Sequence, residues 1–296
     1  MSLYVNPVLS DRDFGFARLG GPGLANCMFL AARAAILSKR LGATMLRPTW
    51  ERIGIGQWFR REKDKRFYVG LFRKDPHLSG LKKFLLVKNK HHYDEGIAVG
   101  VKDGVVMVSG LRGYFSDLWA DSDYVRQYFA ENILPSAISN VPDSMGNAIA
   151  VHVRLGDYPA HWRTDIGWYE ESINIVLEEW KKRNSVISPT VKLFSDGTDK
   201  ELSRLLSIEG VERADFGNAL ADIIAISRCS MLIGSDSTFS GWGAFLGNVP
   251  CMFAHLHYGY PLKDYEKVII SKDAAERRGW VDKEFLSFSV TSKVGL

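Results

Sequence analysis

The chain has 296 residues, 46% hydrophobic and 24% charged, with a net charge of +4, which suits two domains of about 150 residues that each bury a core. This composition excludes a disordered or fibrous protein, and no apolar run approaches the roughly 20 residues of a membrane-spanning helix. Cys27, Cys229 and Cys251 are too few and too scattered for a disulfide framework or a zinc site.

Asp11, Arg12, Asp13 and Arg18 interrupt the N-terminus before the apolar core of a signal peptide develops, so a cytoplasmic location is expected. Gly21, Gly23 and Asn26 superficially match a dinucleotide fingerprint. The third glycine is missing, however, and "RDFGFARL" is a poor preceding strand. Met28 to Leu41 is amphipathic and predicts a helix, with Gly42 at its C-cap. Between Phe59 and His92 stand eleven Lys or Arg against three Asp or Glu. The excess of eight leaves the rest of the chain near −4. The run reads either as a solvated face or as a patch for an anionic surface, including peripheral membrane contact through 59–92. No nucleic-acid motif accompanies it, and no nucleic acid is expected as a partner. Asp121-Ser122-Asp123 has the form of a metal-binding D-x-D, but it precedes "YVRQYFAENIL" and reads as a helix N-cap. Turn formers cluster in "SNVPDSMGN", which divides the chain into domains 1–143 and 144–296.

The second domain alternates regularly. Strands are predicted at 148–153, 190–194, 231–233 and 250–254. Helices are predicted at 168–183, around 200–208, at 219–229 and from 237 to 246. Such βα units argue for a parallel sheet covered on both faces, with ligands outside the carboxyl ends of its strands. The informative turns are therefore "RLGDY", "SDGTD" and "GSDSTFSGWG". Arg154 has a planar fork suited to phosphate, and Gly156 admits close approach of a ligand to the backbone. A local ion pair of Arg154 with Asp157 is the alternative. Ser235, Ser237, Thr238 and Ser240 crowd a helix start, which suits an anion or plain capping. His255 and His257 lack nearby carboxylates or thiols and read as packing residues.

These motifs, "HVRLGDY" at 152–158, "FSDG" at 194–197 and "DIIAISRCSMLIGSDSTFSGWGAFLG" at 222–247, resemble glycosyltransferase family 11, the α-1,2-fucosyltransferases. "GLANCMF" at 23–29 is similar to that family's G-L-G-N-Q-M-F stretch, and "LRGYFSD" at 111–117 to its G-Y-F-Q element. The resemblance implies an α/β fold of GT-B type: two Rossmann-like domains with parallel sheets facing a cleft. The N-terminal domain would face the acceptor and the C-terminal domain would bind the GDP-sugar. It further implies inverting, metal-independent transfer of L-fucose from GDP-β-L-fucose, with no cofactor, to an oligosaccharide or lipid-linked glycan. Arg154 then matches the arginine at the diphosphate, and His152, Gly156, Asp157 and Tyr158 match the rest of its motif. Asp196, Ser235, Ser237, Thr238, Phe239 and Ser240 fall in the other donor-side elements. Gly23, Asn26 and Tyr114 fall on the acceptor side, and Asp157 and Asp165 are the candidate general bases. Ala25, Cys27 and Gly241 depart from the family pattern. A transferase for another GDP-sugar, or a non-catalytic nucleotide- or glycan-binding module, would share these features.

Overall fold

The structure is a computed structural model describing residues 2–54, 67–96, 100–156, 160–183, 188–255, 258, 260–264 and 267–270. Residues Met1–Ser139 and Asn140–Leu296 form two compact units.

In the first unit, β1 (Leu3–Pro7), β2 (Arg18–Leu19), α1 (Leu24–Leu41), β3 (Thr44–Met45), β4 (Arg52–Ile53), α2 (Gly80–Asn89), β5 (His92–Asp94) and β6 (Gly104–Val108) precede a 3-10 turn (Tyr114–Asp121), α3 (Ser122–Asn132) and a second 3-10 turn, Pro135–Ile138. A parallel sheet runs in the order β3-β1-β6-β5, and β2 pairs with β4 separately. α1 packs Ala34 on Val5, Val106 and Val108 of this sheet. The helix begins four residues before the predicted start. Gly23 is its N-cap without a side-chain bond, and the Tyr68 hydroxyl accepts the Leu24 N–H at 3.0 Å. Gly42 ends it in the left-handed region at φ 59°, where glycine carries no Cβ penalty.

One expectation for this unit holds in position, and one needs correction. Asp121 occupies the N-cap position of α3, but its carboxylate pairs with Arg40 at 2.6 Å and makes no cap bond. The basic run is not uniformly solvated either. Lys83 on α2 is buried and donates to Arg47 O and Thr49 Oγ1, both at 2.9 Å, with Asp13 Oδ2 at 3.3 Å. Lys63, Lys65 and Arg66 lie outside the described residues.

The second unit contains β7 (Ile149–Val153), a 3-10 turn (Ala160–Trp162), α4 (Ile166–Arg183), β8 (Val191–Ser195), α5 (Ser203–Leu206), β9 (Val211–Arg213), α6 (Ala219–Ser227), β10 (Met231–Gly234), α7 (Thr238–Gly247), β11 (Cys251–Phe253) and β12 (Val268–Ile270). All six strands are parallel, in the order β12-β11-β10-β7-β8-β9. Every residue of β7 is buried, as a central parallel strand requires. Tyr169, Ile173, Val176 and Trp180 of α4 are buried against this sheet, and each large side chain so buried contributes about 1.5–3 kcal/mol. α6 and α7 approach closely because Gly243 and Gly247 face α6. A Cβ at Gly243 would meet Ile226 Cγ2 at 2.4 Å, and one at Gly247 would meet the Ser227 carbonyl oxygen at 1.9 Å. Among the described residues no helix is long and apolar enough to cross a membrane.

Candidate functional site

Gly234, His152 and Phe194 pair in register across β10, β7 and β8. The turns that follow them therefore leave the same edge of the sheet side by side. Successive strands run outward from β7 through β8 to β9, and then the chain returns to place β10 on the other side of β7. Strand order reverses between β7 and β10, and open parallel sheets hold ligands outside the strand ends at such a switch point.

Asp196 organises the β7–β8 side of this edge. Its Oδ1 accepts the backbone N–H groups of Leu155 and Gly156 at 2.8 and 3.0 Å, and its Oδ2 pairs with Arg154 Nη1 at 2.7 Å. The carboxylate thus fixes both the turn and the arginine that leaves it. An added Cβ on Gly156 would lie 2.4 Å from Asp196 Oδ2, so a larger residue here would push the carboxylate aside. Arg213 of β9 secures the neighbouring turn, donating to Ser195 O at 2.9 Å and Gly197 O at 2.7 Å and pairing with Asp199.

On the β7–β10 side, His152 is buried and stacks on Phe239, with ring centroids 4.7 Å apart. Its Nδ1 lies 2.6 Å from Ser240 Oγ and 2.9 Å from Ser235 Oγ. This one ring ties the end of β7 to the start of α7. Burial pulls its pKa down from 6.5 to about 4, with Arg154 acting in the same direction and Asp196 opposing both. The ring is therefore neutral at pH 7. Ser237 is the N-cap of α7 and accepts the Ser240 N–H at 3.2 Å. The hydroxyls of Ser235, Ser237 and Ser240 form one network. They are engaged in holding the helix start, as the capping reading expected of Ser237. What the helix start offers an anion is its backbone dipole and first-turn N–H groups, with half-buried Thr238 and Phe239 beside them.

Arg154, Gly156, Asp196 and Ser237 thus come to one edge, with His152, Ser235 and Ser240 beneath them as supports. Asp165 stands at the start of α4. Its Oδ2 accepts the Gly167 N–H at 2.7 Å, which is a helix-capping contact. Asp157 and Tyr158 lie outside the described residues, as does His257. Asp236, buried in the turn after β10, went unremarked in the sequence, where "GSDS" reads as loop polarity.

In the first unit, strand order reverses between β1 and β6. A cavity of about 500 Å³ lies beyond their ends, lined by residues that include Val8, Ser10, Gly20, Pro22, Leu30 and Gly110. Gly23 and Asn26 begin the adjoining helix. Tyr114, at φ 43°, stacks edge-on against Phe29 at 5.3 Å. None of the three lines the cavity itself. Among the described residues no group of three or more His, Cys, Asp or Glu side chains is arranged to hold a metal ion.

The family model described as glycosyl transferase family 11 matches residues 104–284. The chain belongs to this family. NodZ α-1,6-fucosyltransferase co-crystallized with GDP is similar in structure, with a TM-score of 0.52 and 14% identity, over 84% of this chain and 93% of that one. Fucosyltransferase NodZ from Bradyrhizobium gives 0.51 and 16%, over 84% and 94%. A FUT1 mutant of Arabidopsis thaliana in complex with GDP gives 0.50 and 12%, over 86% and 71%. These likenesses establish the fold, an α/β architecture of GT-B type with a parallel sheet in each unit. Comparison with curated proteins produced no match.

Proposed function

We propose that this family 11 glycosyltransferase moves L-fucose from GDP-β-L-fucose to a glycan hydroxyl, in α-1,2 linkage, with inversion and without a metal. The observation that carries the reading is the placement of Arg154 and the α7 start on either side of the β7–β10 switch point. A guanidinium and a helix N-terminus at neighbouring strand ends suit a diphosphate. Family membership and the GDP bound by NodZ and by FUT1 support the same ligand.

In the reaction, an acceptor hydroxyl attacks the anomeric carbon, the bond from that carbon to the β-phosphate oxygen breaks, and GDP departs carrying the electron pair. The negative charge growing on the diphosphate is met by Arg154 and the α7 dipole, both fixed before the reaction starts. Asp196 holds Arg154 in place, and neutral His152 holds the helix start without adding a charge of its own. Asp157 is the proposed base for the hydroxyl proton. Asp165 is the weaker candidate because its carboxylate caps α4.

Calorimetric titration with GDP and GDP-fucose in EDTA, followed by a product-release assay over a panel of GDP-sugars, tests the proposal. Release from GDP-fucose with a galactoside acceptor is expected. Binding of GDP with no release from any GDP-sugar would make the chain a binding module, and release only from another sugar nucleotide would refute fucose as the donor.

A further inference from the structure

Among the described residues, nine large apolar side chains stand out in solvent, and eight of them belong to the first unit. The eight come from four stretches of sequence that backbone hydrogen bonds and ring contacts link together. Leu19 and Ile53 are register partners across β2 and β4, so they project on the same side, while Arg18, the preceding residue, turns inward and is fully buried. The backbone N–H of Arg52 donates to Phe67 O at 2.9 Å, joining the third stretch to this ribbon. On the other side, the Gly80 N–H donates to Gly15 O at 3.2 Å, and the Phe14 ring lies 6.2 Å from Phe16 and 6.3 Å from Phe84 of α2. A Cβ on Gly15 would come within 2.0 Å of the Gly80 carbonyl oxygen, so turn and helix dock backbone to backbone. α2 presents Leu81 and Leu85 to solvent, with Leu81 61% exposed.

Positive charge accompanies the apolar groups. Lys82 and Lys88 are exposed on α2, and Arg12, Arg73 and Lys74 are exposed nearby in sequence. Among the described residues 67–92, six Lys or Arg stand against one Asp, and of the six only Lys83 is buried. Protein interfaces deplete lysine and collect their apolar groups in a core. Here exposed Leu81 and Leu85 share α2 with exposed Lys82 and Lys88, the composition that inserts at a headgroup boundary while its cations meet anionic lipid.

We propose that this face of the first unit is a peripheral docking surface for an anionic lipid bilayer. The proposal does not depend on the identity of the donor sugar. Co-sedimentation of the full chain with phosphatidylcholine vesicles, with and without phosphatidylserine, tests it alongside two double variants, Ile53→Ser with Leu81→Ser and Lys82→Glu with Lys88→Glu. Binding that needs phosphatidylserine and weakens with salt is expected, and each double variant should lower the partition coefficient about tenfold or more. Thermal melts confirm that each variant is folded, and GDP titration of the same proteins reports separately on the nucleotide reading. Absence of binding to phosphatidylserine vesicles would overturn the proposal, as would binding that both variants retain. So would a dimer in solution that Ile53→Ser with Leu81→Ser converts to monomer, because a second copy would then be what covers this face.

Discussion

Replacing Arg154 by alanine separates a ligand-binding role from a structural one because the two predict changes of different size. Arg154 and Asp196 are 25% and 30% exposed, so water screens their pair, and its loss should cost no more than about 1 kcal/mol of stability. Asp196 would keep both backbone donors, Leu155 N and Gly156 N, so the turn should persist. For a unit of this size the Tm falls by roughly 2–4 °C per kcal/mol. A charged contact to the diphosphate is worth about 1.5–3 kcal/mol, and its removal weakens GDP binding roughly ten- to hundredfold. Calorimetry in EDTA reads the affinity and a thermal melt reads the fold. Arg154→Lys should recover part of the affinity, keeping the charge without the planar fork. Equal GDP affinity in wild type and Arg154→Ala would refute the phosphate clamp. Lost affinity accompanied by a fall in Tm of more than about 10 °C would show that Arg154 holds the fold instead.

Three further outcomes follow from the same geometry. Asp196→Asn should destabilise the protein by about 1–2 kcal/mol in urea, since an amide turned toward Arg154 sets donor against donor; an unchanged midpoint would mean that Asp196 does not organise the turn. His152 has a folded pKa of about 4 against 6.5 when unfolded, so its stabilising contribution is complete above pH 6.5 and declines as pH falls toward 4. Wild type should therefore lose about 2 kcal/mol more than His152→Gln between pH 7 and pH 5, and parallel urea curves for the two proteins would contradict the buried neutral ring. Gly247→Ala should cost about 1–3 kcal/mol, because its Cβ would meet the Ser227 carbonyl oxygen at 1.9 Å and force α6 and α7 apart. A shift under about 0.5 kcal/mol would show that the helix contact is more yielding than drawn.

The second unit was legible because apolar strands and amphipathic helices alternate regularly along it. Tyr169, Ile173, Val176 and Trp180 recur at helical spacing, and they are the residues α4 buries. The first unit was not. β1 and β6, the central strands of its sheet, are as long as β7 and β8, but they stand far apart in the unit's sequence with two- and three-residue strands between them, so no regular βα alternation stands out. Lys83 read as one charge among many because inward direction on a short helix depends on what packs beneath it, here Thr49 and the Arg47 carbonyl.

The candidate site divides in the same way. Motif spacing singled out Arg154, Gly156 and the Ser237 turn, since a glycine-containing turn after an apolar strand and a hydroxyl at a helix start are local features. The partner of Arg154 was beyond reach. Asp196 arrives through the pairing of β7 with β8, and Asp157, the local alternative, lies outside the described residues. His152 belonged to the right motif, yet its burial under Phe239 and its contacts with Ser235 and Ser240 depend on β10 lying next to β7.

Composition and periodicity alone determined that this chain is an α/β protein with a parallel sheet in its second half, and its motifs identified the family. Strand order, and with it the switch point, the Arg154–Asp196 pair and the gathering of Leu19, Ile53, Phe67 and Leu81 on one unit, was decided by the tertiary structure. Periodicity reports only which face of an element is apolar, whereas strand order depends on how the crossovers bury those faces together, and that is a property of the packed sheet as a whole.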